Sequence, residues 1–125
     1  MPDPARSYEL VFTVHERYLY AELKADTISE EIIRGYVADV IAKSRESGRD
    51  RVLLYRDIPA VMSTGVMFGT VRESLEAFRG IKLALVNPHA SIDSDIQFGL
   101  IVGQNRGGNY KSFNNVKEAE TWLLG

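Results

Sequence analysis

Two short runs, Val52-Leu53-Leu54-Tyr55 and Leu83-Ala84-Leu85-Val86, constrain this chain more than any other feature. Both are apolar on their two alternating faces, so neither face of an extended strand is suited to water. Such strands are stable when helices cover both sides, as in the interior of a parallel sheet. The segment between them supplies the crossover. From Ser63 to Phe78, Met67, Val71, Leu75 and Phe78 recur on one helical stripe, and Gly80 closes the helix. Strand, helix, strand in that order predicts two parallel strands joined by a right-handed crossover.

The flanking segments extend this core. Tyr8, Leu10, Phe12 and Val14 alternate onto one face, and Leu19, Ala21 and Leu23 repeat the pattern after His15-Glu16-Arg17, which reads as an antiparallel hairpin. Thr27 followed by Glu30 forms a capping box, and Ile28, Ile32, Ile33, Tyr36, Val37, Val40 and Ile41 then keep helical spacing as far as Gly48. After Asn87-Pro88, Ser91 to Gln104 reads as a helix carrying Ile92, Ile96 and Leu100, and Gly107-Gly108 as a turn. Tyr110 to Phe113 is a last strand, and Asn115 with Glu118 caps a helix ending on Trp122, Leu123 and Leu124. The expected fold is α/β: a mixed sheet of about five strands with an N-terminal antiparallel hairpin, later strands parallel, and about four helices around it.

Size and charge exclude several function classes. A chain of 125 residues with 45% hydrophobic and 26% charged side chains is expected to be a single domain, residues 1–125, with a core that needs no staples. Its net charge of -2 argues against nucleic acid as a partner. The absence of cysteine removes thiolate metal sites and a cysteine nucleophile. Neither His15 nor His89 has the spaced partners of a metal site, so no metal or cofactor is expected. Met1-Pro2-Asp3-Pro4 shows no signal-peptide pattern, and the uncharged stretch from Ile58 to Val71 is too short and interrupted for a membrane span. The expected compartment is the cytoplasm.

Chemistry in such sheets gathers beyond the carboxyl ends of the strands, here Asp57 to Gly65 and Asn87 to Asp95. Asp57, Ser63 and His89, on adjacent strand ends, have the residue types of a catalytic triad, but no Gly-x-Ser-x-Gly elbow holds the serine, which argues against a hydrolase. His89 reads as a solvated loop residue. Gly65 and Gly69 each cost a helix about 1 kcal/mol relative to alanine, which implies a backbone that something approaches closely. Ser63 or Thr64 is either a plain N-cap or an exposed hydroxyl whose phosphate the free amides of the helix start would accept. Tyr8, Tyr18 and Tyr20 either pack on the sheet or form an exposed aromatic face suited to a dimer contact.

Val52-Leu53-Leu54 followed by Val61-Met62-Ser63-Thr64-Gly65 resembles the strand, loop and Ser-Ser-Gly helix start of STAS domains, which include the anti-sigma-factor antagonists. The order of strands and helices is similar over nearly the whole chain, most closely to the SpoIIAA-like, STAS/SEC14-type single-domain bacterial proteins. The resemblance implies a non-enzymatic regulatory module in signal transduction, with a kinase or an anti-sigma-type regulator as partner. It aligns Thr64 with the hydroxyl phosphorylated in antagonists and Ser63 with its neighbour. Two positions depart from the family pattern: Met62 replaces the aspartate before the hydroxyls, and Met67 replaces the second glycine.

The expected partner surface is therefore Met62, Gly65, Val66, Met67, Phe68 and Gly69 around a switch hydroxyl, Thr64 or Ser63. The methionines supply adaptable apolar contact. The alternative is a carrier of a lipid or other apolar small molecule, with Met67, Phe68, Phe98 and Ile101 lining a cleft. A third reading is a homodimer in which the hairpin edge pairs with a second copy.

Overall fold

The computed structural model describes residues 8–60, 72–74, 76–92 and 109–125. Five strands, β1 (Glu9–Val14), β2 (Leu19–Lys24), β3 (Arg51–Asp57), β4 (Lys82–Val86) and β5 (Tyr110–Phe113), form one sheet in that spatial order. β1 and β2 are antiparallel, while β2, β3, β4 and β5 run parallel. The expected mixed sheet is present, with β3 at its centre.

Helix α1 (Glu30–Ser47) crosses from β2 to β3, and α2 (Val116–Leu124) follows β5. Residues 72–74 and 76–77 are also helical, and Ala90–Ile92 form a short 3-10 turn. The described residues thus carry three α-helical segments where the sequence predicts four. The predicted helix 91–104 lies outside the described residues beyond Ile92.

Each face of the sheet has its own core. On one, Ile32, Ile33, Tyr36, Val37, Val40 and Ile41 of α1 cover Leu19, Ala21, Leu23, Val52, Leu54, Leu83 and Leu85. On the other, Ala119 and Leu123 of α2 cover Leu53, Ala84, Val86 and Tyr18. Leu53 and Leu54 are buried on opposite faces, which is why the run around them must be apolar throughout. Burying each leucine contributes roughly 1.5–3 kcal/mol.

The helix ends explain their positions. Ser29, not Thr27, is the N-cap of α1: its backbone is extended and its side chain accepts from Ile32 N at 3.2 Å. That bond places the cap three residues before Ile32 and puts Glu30 and Glu31 in the first turn, where the helix dipole favours them. Gly48 ends α1 with φ 71, and its neighbour Arg49 donates back to the Ser44 carbonyl at 3.0 Å. Asn115 caps α2 as the sequence predicts, accepting from Glu118 N at 2.9 Å. The last carbonyls of α2 receive cations, Lys82 Nζ on Trp122 O at 2.8 Å and Arg17 Nη2 on Leu124 O at 3.3 Å.

The three tyrosines of the hairpin do not form a common exposed face. Tyr8 packs edge-on against Tyr36 on the α1 side. Tyr18 is buried on the α2 side, stacked on His15, and Tyr20 is half-buried. Val11, 60% exposed, is instead the apolar side chain most open to water on the edge strand β1.

Candidate functional site

Because β2 to β5 are parallel, their carboxyl ends share one edge of the sheet, where α1 and α2 also begin. Loops from separate strands meet there, so groups distant in sequence become neighbours. Lys24 and Asp57 are register partners at the ends of β2 and β3.

Asp57 is the hinge point of this edge. Its carbonyl accepts from Ala25 N at 3.2 Å, while its Oδ1 lies 2.7 Å from His89 Nε2. His89 is therefore not the solvated loop residue that the sequence suggests; its side chain is 29% exposed and Asp57 holds it across from β3. The sequence groups the two residues by type and by their place at neighbouring strand ends; the parallel register of β3 and β4 is what brings them within bonding distance.

Asn87 fixes where His89 stands. It is 1% exposed. Its Nδ2 donates to His89 O at 2.9 Å, and its Oδ1 accepts from His89 N at 3.0 Å, so one side chain closes a ring around Pro88. Both amide groups are thereby satisfied, which makes the burial tolerable. Its backbone N–H also donates to Phe113 O at 3.0 Å, joining the end of β4 to that of β5. The signal in the sequence is an asparagine that can bond two residues ahead in a turn.

Arg56 works on the other face. Although 6% exposed, it donates from Nη1 to Ile58 O at 3.1 Å and from Nη2 to Ala60 O at 3.4 Å. These bonds fix the backbone just before Val61. A buried guanidinium is costly unless its donors find acceptors, and carbonyls that receive a charged donor are held more firmly than by a neutral one. The hint in the sequence is a lone arginine at an inward position of an apolar strand.

Met62, Ser63, Thr64, Gly65, Val66, Met67, Phe68 and Gly69 lie outside the described residues, as do Phe98 and Ile101. Of the triad-like set, the structure brings Asp57 and His89 together, and Ser63 lies outside the described residues. Among the described residues, no group of three or more His, Asp or Glu is placed to hold a metal, and no helix is long and apolar enough to cross a membrane.

No protein-family model matches the chain, and no curated protein matches it. Among solved structures it is similar to an anti-sigma factor antagonist from Mycobacterium paratuberculosis, at 12% identity and a TM-score of 0.59 over 100% of both chains. It is also similar to an uncharacterized protein with a SpoIIAA-like fold from Shewanella loihica, at 13% identity and a TM-score of 0.57 over 98% of both chains. At this identity the likeness is one of fold, and the fold is SpoIIAA-like.

Proposed function

We propose that this SpoIIAA-like chain is a single-domain, non-enzymatic regulatory module of the cytoplasm that binds a protein partner beyond the carboxyl ends of β3 and β4. The supporting observation is the bracing of that edge. Arg56 holds the carbonyls of Ile58 and Ala60, and Asp57 holds His89, so the backbone leading into Met62–Gly69 starts from a fixed position. A rigid base lowers the ordering cost of presenting a loop to a partner. The structural likeness to an anti-sigma factor antagonist supports the same use of the fold.

In this reading Met62, Val66, Met67 and Phe68 supply apolar contact, Gly65 and Gly69 permit close approach, and the partner is a kinase or an anti-sigma-type regulator. Phosphorylation of Thr64, or of Ser63 beside it, would add about -1.5 to -2 charge and change docking. The decisive experiment is native mass spectrometry of the protein purified from its own host, with fragment mapping, beside pull-downs that compare the wild type with Phe68→Glu. A phosphate on Thr64 or Ser63 and a partner lost in Phe68→Glu are the expected results. A co-purified apolar small molecule with no protein partner would overturn the reading in favour of the carrier.

A further inference from the structure

At the opposite edge of the sheet, where β3 and β4 begin, two glycine turns face each other. Gly48 closes α1 at φ 71, and Gly80 turns the chain into β4 at φ 85. Between them lies a groove of about 340 Å³ lined by Ile41, Arg45, Arg49, Asp50, Arg79 and Ile81, among others. Three guanidiniums stand against one carboxylate and the partial negative charge of the α1 C-terminus, which leaves the groove a positive excess, opposite to the chain's net -2.

Among the described residues, the three arginines are not committed elsewhere by ion pairs. Arg34, on the same helix, is bound by Glu30 and Glu73, each at 3.3 Å. Among the described residues, no carboxylate lies within ion-pair distance of Arg45, Arg49 or Arg79. Arg49 is also oriented in advance. Its Nε donates to His15 O and its Nη1 to Ser47 O, both at 2.8 Å, which leaves Nη2 outside these bonds. Its backbone is pinned too, because Arg49 N donates to Ser44 O and the Ser44 hydroxyl donates to Arg49 O.

We propose that this groove binds a small phosphate monoester with a compact apolar body. Such an ester carries about -1.5 to -2 charge near neutral pH, which balances the groove's excess. Planar guanidinium forks match phosphate oxygens, and a fork held in place loses less freedom on binding. Ile41 and Ile81 give the body of the ligand an apolar wall. The volume lies at the small end of the range for ligand sites, about 300–1,000 Å³, and so favours a ligand with a single compact group beside the phosphate. The groove lies at the opposite edge of the sheet from the Asp57–His89 edge, so either site can be tested without the other.

The test is a titration of the full chain with phenyl phosphate, inorganic phosphate and phenol, followed through backbone amide resonances. Phenyl phosphate is expected to shift the amides of Gly48, Arg49, Asp50, Gly80 and Ile81, and to bind more tightly than inorganic phosphate; phenol is expected to leave them in place. Arg45→Gln and Arg79→Gln replace exposed side chains and leave the core intact. Each should weaken phenyl phosphate roughly tenfold, the change expected when a charge-assisted hydrogen bond is lost. Equal affinity of either variant and the wild type would overturn the proposal, as would shifts spread over all basic surfaces. A phosphoserine peptide that binds more tightly than phenyl phosphate and shifts amides beyond the groove would overturn the small-molecule assignment.

Discussion

His89 Nε2 and Asp57 Oδ1 lie 2.7 Å apart although 32 residues separate them in sequence. Their pairing joins the chain leaving β3 to the chain leaving β4, and both side chains remain partly open to water. Solvent screening limits what such a pair contributes, to about 1 kcal/mol or less. Asp57→Asn and His89→Gln should each lower the urea midpoint slightly. A double-mutant cycle should return a coupling of up to about 1 kcal/mol. Additive single effects would mean that the two side chains do not depend on each other. If the edge presents the partner surface, both variants should also weaken partner binding by more than the loss of folded protein explains.

Arg56 should matter more because it is buried. Arg56→Met keeps the apolar stem but removes both donors, leaving the carbonyls of Ile58 and Ala60 without this partner. A cost of about 1–3 kcal/mol is expected. It should be read from the urea midpoint at unchanged slope, with faster amide exchange at residues 58–60 as the local signature. An unchanged midpoint would show that the guanidinium does not hold this backbone.

These residues mark where sequence reading succeeds and stops. The strands were legible because Leu53 and Leu54 must be buried on opposite faces of β3, which permits no polar alternation. The α2 cap was legible because Asn115 and Glu118 lie within one turn of each other. The Thr27–Glu30 pattern points to a cap two residues before the true one, since Thr27 and Ser29 offer the same chemistry and only the extended backbone at Ser29 decides between them. Arg56, Asn87 and the Asp57–His89 pair were harder to read. Arg56 at an inward strand position and Asn87 before Pro88 stand out in the sequence, but the backbone carbonyls and amides they bond leave no pattern in side-chain order. Asp57 meets His89 only through the register of parallel strands.

Gly35 offers a test of close packing inside a helix. A Cβ at this position would meet Tyr8 Oη at 2.9 Å and Tyr8 Cε1 at 3.1 Å. The same hydroxyl donates to Asp39 Oδ2 at 2.7 Å, one turn further along α1, so the phenol lies across the glycine. Gly35→Ala alone gains about 1 kcal/mol of helix propensity but displaces the ring and weakens its bond to Asp39. The net effect should be destabilising. In a Tyr8→Ala background the obstacle is gone, and Gly35→Ala should stabilise by about 1 kcal/mol. Thermal unfolding of the four proteins checks this reversal of sign; a stabilising effect in both backgrounds would refute the close approach.

The alkaline limit of stability should depend on Tyr18. Burial, then its hydrogen bond to Glu120 at 2.7 Å, push the phenol from 10.0 up to about 12. Burial likewise raises Tyr20 and Tyr110. In the unfolded chain these groups ionise near pH 10, whereas the fold keeps them protonated to higher pH. The contribution of Tyr18 is complete below pH 10 and is lost as pH rises through the window from 10 to about 12, because the folded chain then binds more protons than the unfolded one; Tyr20 and Tyr110 act in the same direction. For Tyr18 alone the loss amounts to at most roughly 3 kcal/mol, two pH units at about 1.4 kcal/mol each. Tyr18→Phe cannot ionise, so its stability curve should fall less steeply between those limits, by about one proton's worth of slope. At neutral pH it should cost about 1 kcal/mol for the missing bond to Glu120, a carboxylate that water can then solvate. Urea unfolding of both proteins from pH 8 to pH 12 measures the two effects together. Parallel curves would show that Tyr18 ionises in the fold as it does in the unfolded chain.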